Sequence, residues 1–281
     1  LVASNHSMPC SLGVIGLGRM AQALVLPLLK QGELAPQQLV AVVGRGASVE
    51  RLADQLPIGL RLKAADDPTA AEAWMAPIQL LAVKPQQLDQ IAASAARLKQ
   101  PAERPQLLIS VLAGVSLARL QQAFPAHACV RAVPNTPALV GAGLTGLSWG
   151  EGVTPEQRLA VERLFLPVSE VLELPESQLD AFLALTSSGP AYVALVAEAM
   201  ADGAVAAGLP RSLAHHLAHR TLAGTAALLK EQKLHPAELK DMVTSPGGTT
   251  IAALRKLERA GVRSALIEAV VAAAQRSREL A

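Results

Sequence analysis

The chain has 281 residues, of which 51% are hydrophobic and 17% charged, so its apolar surface is large enough to argue against intrinsic disorder. It contains three Phe, two Trp and one Tyr, too few aromatic residues for a site that stacks several bases or sugar rings. The net charge is +2 and Lys and Arg form no runs. We therefore expect neither nucleic acid nor an anionic membrane surface as a partner.

Short, branched apolar runs alternate with amphipathic stretches from Leu12 to about Pro175. Near-continuous apolar strands between helices are typical of a mostly parallel sheet with helices on both faces. The predicted strands are Leu12–Ile15, Leu39–Val43, Ile78–Val83, Leu107–Val111, Cys129–Val133 and Leu144–Trp149. The predicted helices are Met20–Lys30, Ser48–Gln55, Gln87–Leu98 and Ser116–Ala123.

The strand pattern stops after Glu176, and helices follow one another with Gly- and Pro-containing turns between them. The helices predicted there are Gln178–Leu183, Ala191–Gly208, Arg211–Lys230, Pro236–Val243, Ile251–Gly261 and Val262–Leu280. We therefore predict an α/β protein, with an N-terminal Rossmann-type doubly wound sheet over residues 8–175 and an all-α domain over residues 176–281.

The sequence offers no uninterrupted apolar stretch of the ~18 residues that span a bilayer. The best candidate, Ala191–Leu209, carries Glu198 and Asp202 in its middle. Val193 and Met200 recur at helical spacing, which predicts a buried apolar stripe on a helix in water. We expect no membrane partner.

Two cysteines, Cys10 and Cys129, lie far apart and lack the spacing of a redox or zinc pair. This usage fits a reducing compartment, and the N-terminal residues lack the basic and apolar regions of a signal peptide. We therefore expect a cytoplasmic protein.

The first predicted strand leads into Gly16-Leu17-Gly18-Arg19-Met20-Ala21, a GxGxxA sequence. In a dinucleotide-binding turn the first glycine permits the tight turn and the second lets a pyrophosphate approach the backbone. The amides at the start of the next helix then face the anion. A turn with only a packing role is the alternative, but the place of this motif between a strand and a helix predicts dinucleotide binding.

The end of the second predicted strand bears on the choice of cofactor. A site selective for NAD places an acid there, on the ribose 2′-hydroxyl. This chain has Gly44-Arg45-Gly46-Ala47-Ser48, whose cation and hydroxyl suit a 2′-phosphate. Arg45 therefore favours NADPH, with NADH as the alternative cofactor; the other interpretation of Arg45 is a solvated side chain in a turn.

Three more segments lie at or just after the ends of predicted strands, where ligands bind in an open α/β sheet. They are Ala82-Val83-Lys84-Pro85, Ala113-Gly114-Val115 and Pro134-Asn135-Thr136-Pro137. Pro85 fixes the backbone beside Lys84, which favours a cofactor contact over an ordinary surface lysine. Two prolines restrict Asn135, which predicts an amide positioned near the nicotinamide rather than a simple Asn-Thr turn.

The segment from Thr244 to Ile251 joins two predicted helices through Gly247 and Gly248. We expect Thr249 or Thr250 to cap the second helix. Unpaired amides at that helix start, beside hydroxyl groups, predict an anion site that suits a carboxylate. The alternative is an ordinary linker with a threonine cap.

His215 and His219 lie four residues apart on a predicted helix, a spacing that metal pairs use. No carboxylate or thiol at matching spacing completes a site, so we expect no metal and interpret the histidines as part of a solvated helix face.

Together these motifs resemble the pyrroline-5-carboxylate reductase family over nearly the whole chain, from Leu12 to Leu280. The segments that carry the resemblance are Gly16–Ala21, Ala82–Pro85, Ala113–Val115, Arg131–Val140, Ser188–Tyr192, Glu198–Asp202, Gly208–Arg211 and, most specifically, His235–Ile251. The resemblance implies a helical dimerisation domain that interlocks with a second subunit, in a homodimer or higher homo-oligomer, so that part of each site comes from the partner. It also implies an oxidoreductase that reduces 1-pyrroline-5-carboxylate to L-proline with NAD(P)H, the last step of proline biosynthesis.

Position by position, the resemblance also implies roles for single residues. The cofactor would lie against Leu17, Gly18, Arg19, Met20, Gly44, Arg45, Ala82, Val83, Lys84, Pro85 and Ala113. The substrate carboxylate would lie on the amides of Gly247, Gly248 and Thr249, and the hydroxyl of the catalytic residue Thr250 would face the ring nitrogen. Glu176 falls where some members hold an acid near bound proline.

The chain departs from the family pattern at Ser187, where many members have glycine, and at Lys233, where some carry glutamate. Two rival functions stay open at this point. One is another small-substrate dehydrogenase, such as a β-hydroxyacid dehydrogenase or a related imine reductase, which leaves the loop at residues 244–251 unexplained. The other is a non-catalytic nucleotide-binding regulator.

Overall fold

The computed structural model describes residues 10–98 and 106–280. They form two compact units: one runs to Ser187 and includes the C-terminal residues from Ala274 onward, and the other is Ser188–Ala273. This division by contacts falls later than the domain boundary predicted at Pro175, because the helix that follows Pro175 packs against the sheet.

Eight strands in the described residues form one sheet within the first unit. They are β1 (Leu12–Ile15), β2 (Leu39–Val43), β3 (Arg61–Ala64), β4 (Ile78–Leu81), β5 (Gln106–Ser110), β6 (His127–Val133), β7 (Gly143–Trp149) and β8 (Ser169–Glu173). Their order is β3-β2-β1-β4-β5-β6-β7-β8. Strands β1 to β6 are parallel, β7 runs antiparallel to β6, and β8 runs parallel to β7.

Helices cover both faces of this sheet, as predicted. They are α1 (Arg19–Gln31), α2 (Gly46–Ala53), α3 (Glu72–Met75), α4 (Leu88–Ala95), α5 (Leu117–Ala123), α6 (Pro155–Phe165) and α7 (Leu179–Thr186). Successive side chains of a strand point to opposite faces, so Val14 and Ile15 of β1 enter two separate apolar clusters. Large buried side chains make up most of both clusters, so this unit has an extensive core within one chain.

The strand order reverses between β1 and β4, which are direct neighbours. The chain leaves β1 towards β2 on one side of this point and leaves β4 towards β5 on the other. In doubly wound sheets ligands bind in the crevice beyond the carboxyl ends of the strands at such a switch point. The segments that begin at Gly16 and Ala82 therefore share one crevice.

The second unit contains helices only, as the sequence predicts. They are α8 (Gly189–Ala206), α9 (Arg211–Gln232), α10 (Pro236–Met242), α11 (Thr249–Arg259) and α12 (Val262–Glu279), the last of which ends in the first unit. Helices α8 and α9 pack through small side chains, with Ala201, Ala214 and Ala218 buried between them. Small residues let two helix backbones approach closely, so alanine suffices for this contact.

The apolar stripe predicted as buried on α8 is largely exposed, which corrects the sequence interpretation. Val193 is 54% and Met200 is 41% exposed, and the residues of α8 that are buried are Ala197 and Ala201. A helix can bury only the face that meets a neighbour, and in a single chain that face is the alanine face. The branched and long side chains are left in contact with solvent.

Within the described residues, the run Glu176–Ala206 is long and apolar enough to cross a membrane by length and composition alone. The sequence criterion, which required an uninterrupted apolar stretch, did not select it. The helix is interrupted between Thr186 and Gly189. Its second part carries Asp202, which forms an ion pair with Arg211.

Four elements were not predicted: β3, β8, α3 and α6. The two strands lie at the edges of the sheet, and their sequences, Arg-Leu-Lys-Ala and Ser-Glu-Val-Leu-Glu, lack the apolar run that marks a central strand. Other boundaries shift by a few residues. The strand predicted to reach Val83 ends at Leu81, and the helix predicted for Gln87–Leu98 is Leu88–Ala95.

The two departures from the family pattern named above differ in their backbone conformation. Ser187 has ordinary helical torsion angles (φ −90°, ψ −33°), and its hydroxyl donates a hydrogen bond to the carbonyl of Pro134 at 3.0 Å. Lys233 ends α9 with φ +51°, a left-handed conformation that is unusual for a residue with a Cβ.

Candidate active site

The turn after β1 has the geometry that its two glycines predict. Gly16 has φ +92°, a conformation that favours glycine. A Cβ at this position would lie 2.7 Å from the carbonyl oxygen of Ala82, so the turn packs directly on the segment after β4. The amide of Gly16 donates to the carbonyl of Val42 at 2.8 Å, which fixes the turn to β2.

Gly18 leaves the start of α1 open to a ligand. It is the N-cap residue, and it has no side chain to cap the helix. The first amide that bonds back to the cap is that of Gln22, to the carbonyl of Gly18 at 2.9 Å, so the amides of Arg19, Met20 and Ala21 precede it. A Cβ on Gly18 would meet no atom within 4 Å. This space and these amides fit the pyrophosphate of a dinucleotide.

A cleft of about 260 Å³ lies at this point of the sheet. Seven of the predicted cofactor residues line it: Gly16, Leu17, Gly18, Gly44, Ala82, Val83 and Lys84. The structure thus brings together the ends of β1, β2 and β4, as the resemblance implies. Among the described residues that line the cleft, Arg19, Met20, Arg45, Pro85, Ala113 and Asn135 are not found.

Two cations, Lys84 and Arg51, line this cleft, and the described lining residues include no acid. Arg51 follows Ser48 by three residues on α2, so both side chains lie on one helix face and both reach the cleft. Arg45 instead provides the N-cap backbone of α2 and is exposed. Sequence reasoning missed Arg51, although its helical spacing from Ser48 was available as a signal.

Pro85 adjoins a lining residue of this cleft in the chain, and Ala113 follows β5, the neighbour of β4 in the sheet. Pro85 starts a short 3₁₀ turn directly after Lys84. Ala113 is exposed in the turn after β5, where Gly114 has φ +74°. Both therefore extend the crevice along the carboxyl ends of β4 and β5.

The side chain of Asn135, predicted as an amide positioned near the nicotinamide, is engaged by hydrogen bonds within the first unit. Its side chain is buried, with Nδ2 donating to the carbonyl of Thr186 at 3.0 Å. Its Oδ1 accepts from the amide of Leu144 at 2.8 Å. These partners lie 51 and 9 residues away in sequence, so only the folded chain shows that this amide joins β7 and α7 to the end of β6.

Glu176, for which the resemblance implies a place near the substrate, is engaged within the first unit. Its Oε1 accepts from the amide of Leu117 at 2.7 Å and from Nη1 of Arg131 at 3.2 Å. Arg131 was not singled out by sequence reasoning. A lone arginine in an apolar strand was the available signal, because a buried guanidinium needs carboxylate partners.

The loop at residues 244–251 lies in the second unit. Gly247 has φ +69° and turns the chain, and Gly248 is the N-cap of α11. The expectation that Thr249 or Thr250 caps this helix is therefore wrong, since they are its first two residues. A Cβ on Gly248 would lie 2.4 Å from Oγ of Ser245, so a side chain at this position would require the Ser245 side chain to rotate.

The amides at the start of α11 differ in their availability. The amide of Gly248 donates to the carbonyl of Ser245 at 3.1 Å, and the amide of Ala252 donates to the carbonyl of Gly248 at 3.3 Å. The amides of Thr249, Thr250 and Ile251 lie between these two bonds. They are the free donors that a helix start offers to an anion, whereas Gly248 contributes space rather than a donor.

In the part of the chain that the structure describes, no three His, Cys, Asp or Glu side chains form a group that could hold a metal ion. The rings of His215 and His219 lie 6.3 Å apart on α9.

Comparison with known proteins shows which family has this architecture. Residues 176–280 match a family model described as pyrroline-5-carboxylate reductase dimerisation, and residues 11–114 match one described as NADP oxidoreductase, coenzyme F420-dependent. The pyrroline-5-carboxylate reductase of Synechocystis is 48% identical over 97% of this chain and 99% of its own length. The chain belongs to the pyrroline-5-carboxylate reductase family. The resemblance seen in the sequence is thereby confirmed.

Solved structures of this family have the same fold. That of the pyrroline-5-carboxylate reductase from Coxiella burnetii is 31% identical, covers 98% of this chain and 99% of its own, and has a TM-score of 0.81. The Plasmodium falciparum pyrroline carboxylate reductase, solved with NADP bound, is 26% identical, covers 96% and 98%, and has a TM-score of 0.82. The predicted Rossmann-type domain and the helical region after it are confirmed.

Proposed function

We propose that the chain reduces 1-pyrroline-5-carboxylate to L-proline, the last step of proline biosynthesis, with NAD(P)H bound in the cleft beyond β1 and β4. The observation that carries this proposal is that a member of this family has two helix starts suited to anions. One is the open, amide-lined start of α1 beside Gly18, and the other is the second helix start, at Thr249.

The cleft residues would hold the cofactor at its pyrophosphate and at its nicotinamide. The amides at Arg19 and Met20 bind the pyrophosphate, and Gly16 and Gly18 keep side chains out of its way. The bound cofactor supplies the hydride. Val83 and Lys84, with Pro85 and Ala113, form the edge of the crevice along which the nicotinamide lies.

The cations near α2 favour NADPH over NADH. Ser48 and Arg51 line the cleft directly, and Arg45 lies at the start of the same helix. A guanidinium and a hydroxyl are the groups that recognise a 2′-phosphate, and an acid on the ribose would instead favour NADH.

The loop before α11 would bind the substrate. Its carboxylate lies at the start of α11, on the amides of Thr249 and Thr250 and against the Gly247-Gly248 turn, which brings no side chain into the site. Hydride transfer to a C=N bond is easier when the nitrogen is protonated, since the cation is the better electrophile. The hydroxyl of Thr250 would hydrogen-bond to this nitrogen and orient the ring.

The second unit is proposed as the dimerisation surface of a cytoplasmic homodimer or higher homo-oligomer. Support comes from the dimerisation model over residues 176–280, which begins at the predicted domain boundary, and from the exposed apolar side chains of α8. A protein partner fits α8 better than a bilayer, because Glu198 and Asp202 lie in its middle and a charge at a bilayer centre costs about 3 kcal/mol. We propose neither a membrane nor nucleic acid as a partner.

Loss of NADPH absorbance in the presence of 1-pyrroline-5-carboxylate, compared with a set of small hydroxy acids and their keto forms, tests the activity. We expect turnover with the cyclic imine alone. Turnover with a keto acid would indicate a hydroxyacid dehydrogenase, and tight NADPH binding without any turnover would indicate a regulator.

The role of Thr250 is tested by Thr250→Ala, for which we expect kcat/KM for the imine to fall about tenfold or more, because the hydrogen bond to nitrogen is lost. Thr250→Ser keeps the hydroxyl and is the matched control, so it should retain most of the activity. A fall of less than about threefold in Thr250→Ala would contradict the role.

A further inference from the structure

Arg131 joins two acids in the first unit. Its side chain is 5% exposed, and it donates from Nη1 to Oε1 of Glu176 at 3.2 Å and from Nη2 to Oδ1 of Asp180 at 3.1 Å. A buried guanidinium is stable only when carboxylates pair with it. Each acid therefore keeps Arg131 paired even when the other is removed.

The two acids differ in what else they touch. Oδ1 of Asp180 accepts a hydrogen bond from Oγ of Ser277 at 2.8 Å, which ties α7 to the end of α12. Oε1 of Glu176 accepts the amide of Leu117 at 2.7 Å. Leu117 is the first residue of α5, which directly follows the turn that contains Ala113.

This turn is anchored at both ends. At its start the amide of Val111 donates to the carbonyl of Leu81, the last residue of β4, at 3.0 Å. At its end Glu176 holds the amide of Leu117, while Ser116 caps the third residue of α5, Arg119, at 3.2 Å. Between the anchors the backbone takes the left-handed conformation at Gly114 (φ +74°).

We propose that Glu176, held by Arg131, is a positioning residue that fixes the cofactor-binding turn at Ala113, rather than a residue that contacts the substrate. The hydrogen bond that joins the carboxylate to the turn is the one from the amide of Leu117. The proposal rests on the proposed function, because it assumes that the Ala113 turn borders the cofactor.

The two roles predict opposite effects on the binding of the two ligands. A misplaced turn weakens NADPH binding whether or not the imine is present. An acid that contacts the substrate instead changes KM for the imine and leaves NADPH affinity as it was. Affinity for NADPH in the absence of imine therefore separates them.

The experiment measures NADPH affinity by fluorescence titration of the full-length protein, KM for 1-pyrroline-5-carboxylate at saturating NADPH, and Tm. For Glu176→Ala we expect about tenfold weaker NADPH binding and a KM for the imine within about twofold of wild type. Glu176→Gln keeps an acceptor for the amide of Leu117 and should recover most of the NADPH affinity.

Asp180→Ala is the matched control, since Asp180 pairs with the same arginine and its other hydrogen bond goes to Ser277 of α12. We expect a Tm loss in this variant comparable to that in Glu176→Ala, with NADPH affinity like that of wild type. Equal weakening of NADPH binding in both variants would mean that the ion pair only stabilises the fold, and would overturn the proposal.

A raised KM for the imine with unchanged NADPH affinity in Glu176→Ala would also overturn it, and would place the acid at the substrate. If Glu176→Ala does not fold, Glu176→Asp, which keeps a carboxylate for Arg131 on a side chain one methylene shorter, decides by the same split between NADPH affinity and KM. Failure of the proposed function itself is distinguishable, because wild-type protein would then show no turnover of the imine.

Discussion

The two units of the chain bury different kinds of side chain. The first encloses leucine, isoleucine, valine and phenylalanine side chains on both faces of its sheet. In the second, the buried apolar cluster consists of Ala201, Ala214 and Ala218, while Leu195, Ile267 and Val271 are more than half exposed. The first unit can therefore position a cofactor with its own backbone. The second needs a further surface to cover its apolar residues.

The first unit is most sensitive where its backbone is packed against another backbone. A Cβ on Gly13 would lie 1.8 Å from the carbonyl oxygen of Ala73. We expect Gly13→Ala to lower the free energy of unfolding by about 3 kcal/mol, because neither backbone can move without disturbing the sheet. Denaturant titration of the variant and of wild type measures this loss. A loss below about 0.5 kcal/mol would contradict a rigid packing here.

Gly18, in the same unit, should separate binding from stability. Its Cβ would meet no protein atom within 4 Å, so Gly18→Ala should unfold at the same denaturant concentration as wild type. NADPH binding should weaken about tenfold or more, or by about 1.4 kcal/mol, because the methyl group occupies the space proposed for the pyrophosphate. Unchanged NADPH affinity would remove the pyrophosphate from this turn.

The cations of α2 should affect one cofactor more than the other. We expect Arg51→Ala to lower kcat/KM for NADPH about tenfold and to leave kcat/KM for NADH nearly unchanged, since NADH lacks the 2′-phosphate. Arg45→Ala should have a smaller effect in the same direction, because Arg45 lies outside the cleft. Parallel losses for both cofactors would refute the 2′-phosphate assignment.

The stability of the first unit should depend on pH through His127, at the start of β6, without an effect on the candidate site. Burial lowers the pKa of His127 to about 4, and in the unfolded chain a histidine titrates near pH 6.5. The unfolded state thus binds the proton first as pH falls, so stability should decrease from about pH 6.5 down to about pH 4. Thermal unfolding of His127→Gln over this range should show a shallower decrease in Tm. Parallel curves of Tm against pH for the variant and wild type would contradict a contribution of His127 to this pH dependence.

The parts of the fold that the sequence predicts are those whose signal is local. Strand β1, the turn at Gly16 and Gly18, and strand β2 follow one another within a short segment, and each has its own apolar or glycine pattern. Strands β3 and β8 lie at the sheet edges and carry two charged residues each, so no apolar run separates them from a loop. Their place is set by pairing with β2 and β7.

In the candidate site, too, only the features with a local sequence signal could be predicted. Glycine positions and the ends of strands could be inferred one segment at a time. The partners of Asn135 and Glu176 could not, because Thr186, Arg131 and Leu117 are distant in sequence and meet them only after folding. The cap of α11 was missed for a different reason: threonine is a more common cap than glycine, whereas here the turn at Gly247 places Gly248 at the cap and starts the helix at Thr249.

The central claim is that the apolar face left exposed on the second unit is completed by another copy of the chain. Sedimentation of the active protein and of the double variant Ile267→Asp/Val271→Asp tests this claim most directly. The two substituted residues lie one helical turn apart on α12. The control is Ile58→Asp, on an exposed turn of the first unit. The account predicts a dimer or larger assembly for wild type and control, and an inactive monomer for the double variant. A wild-type protein that sediments as a stable, active monomer would contradict it.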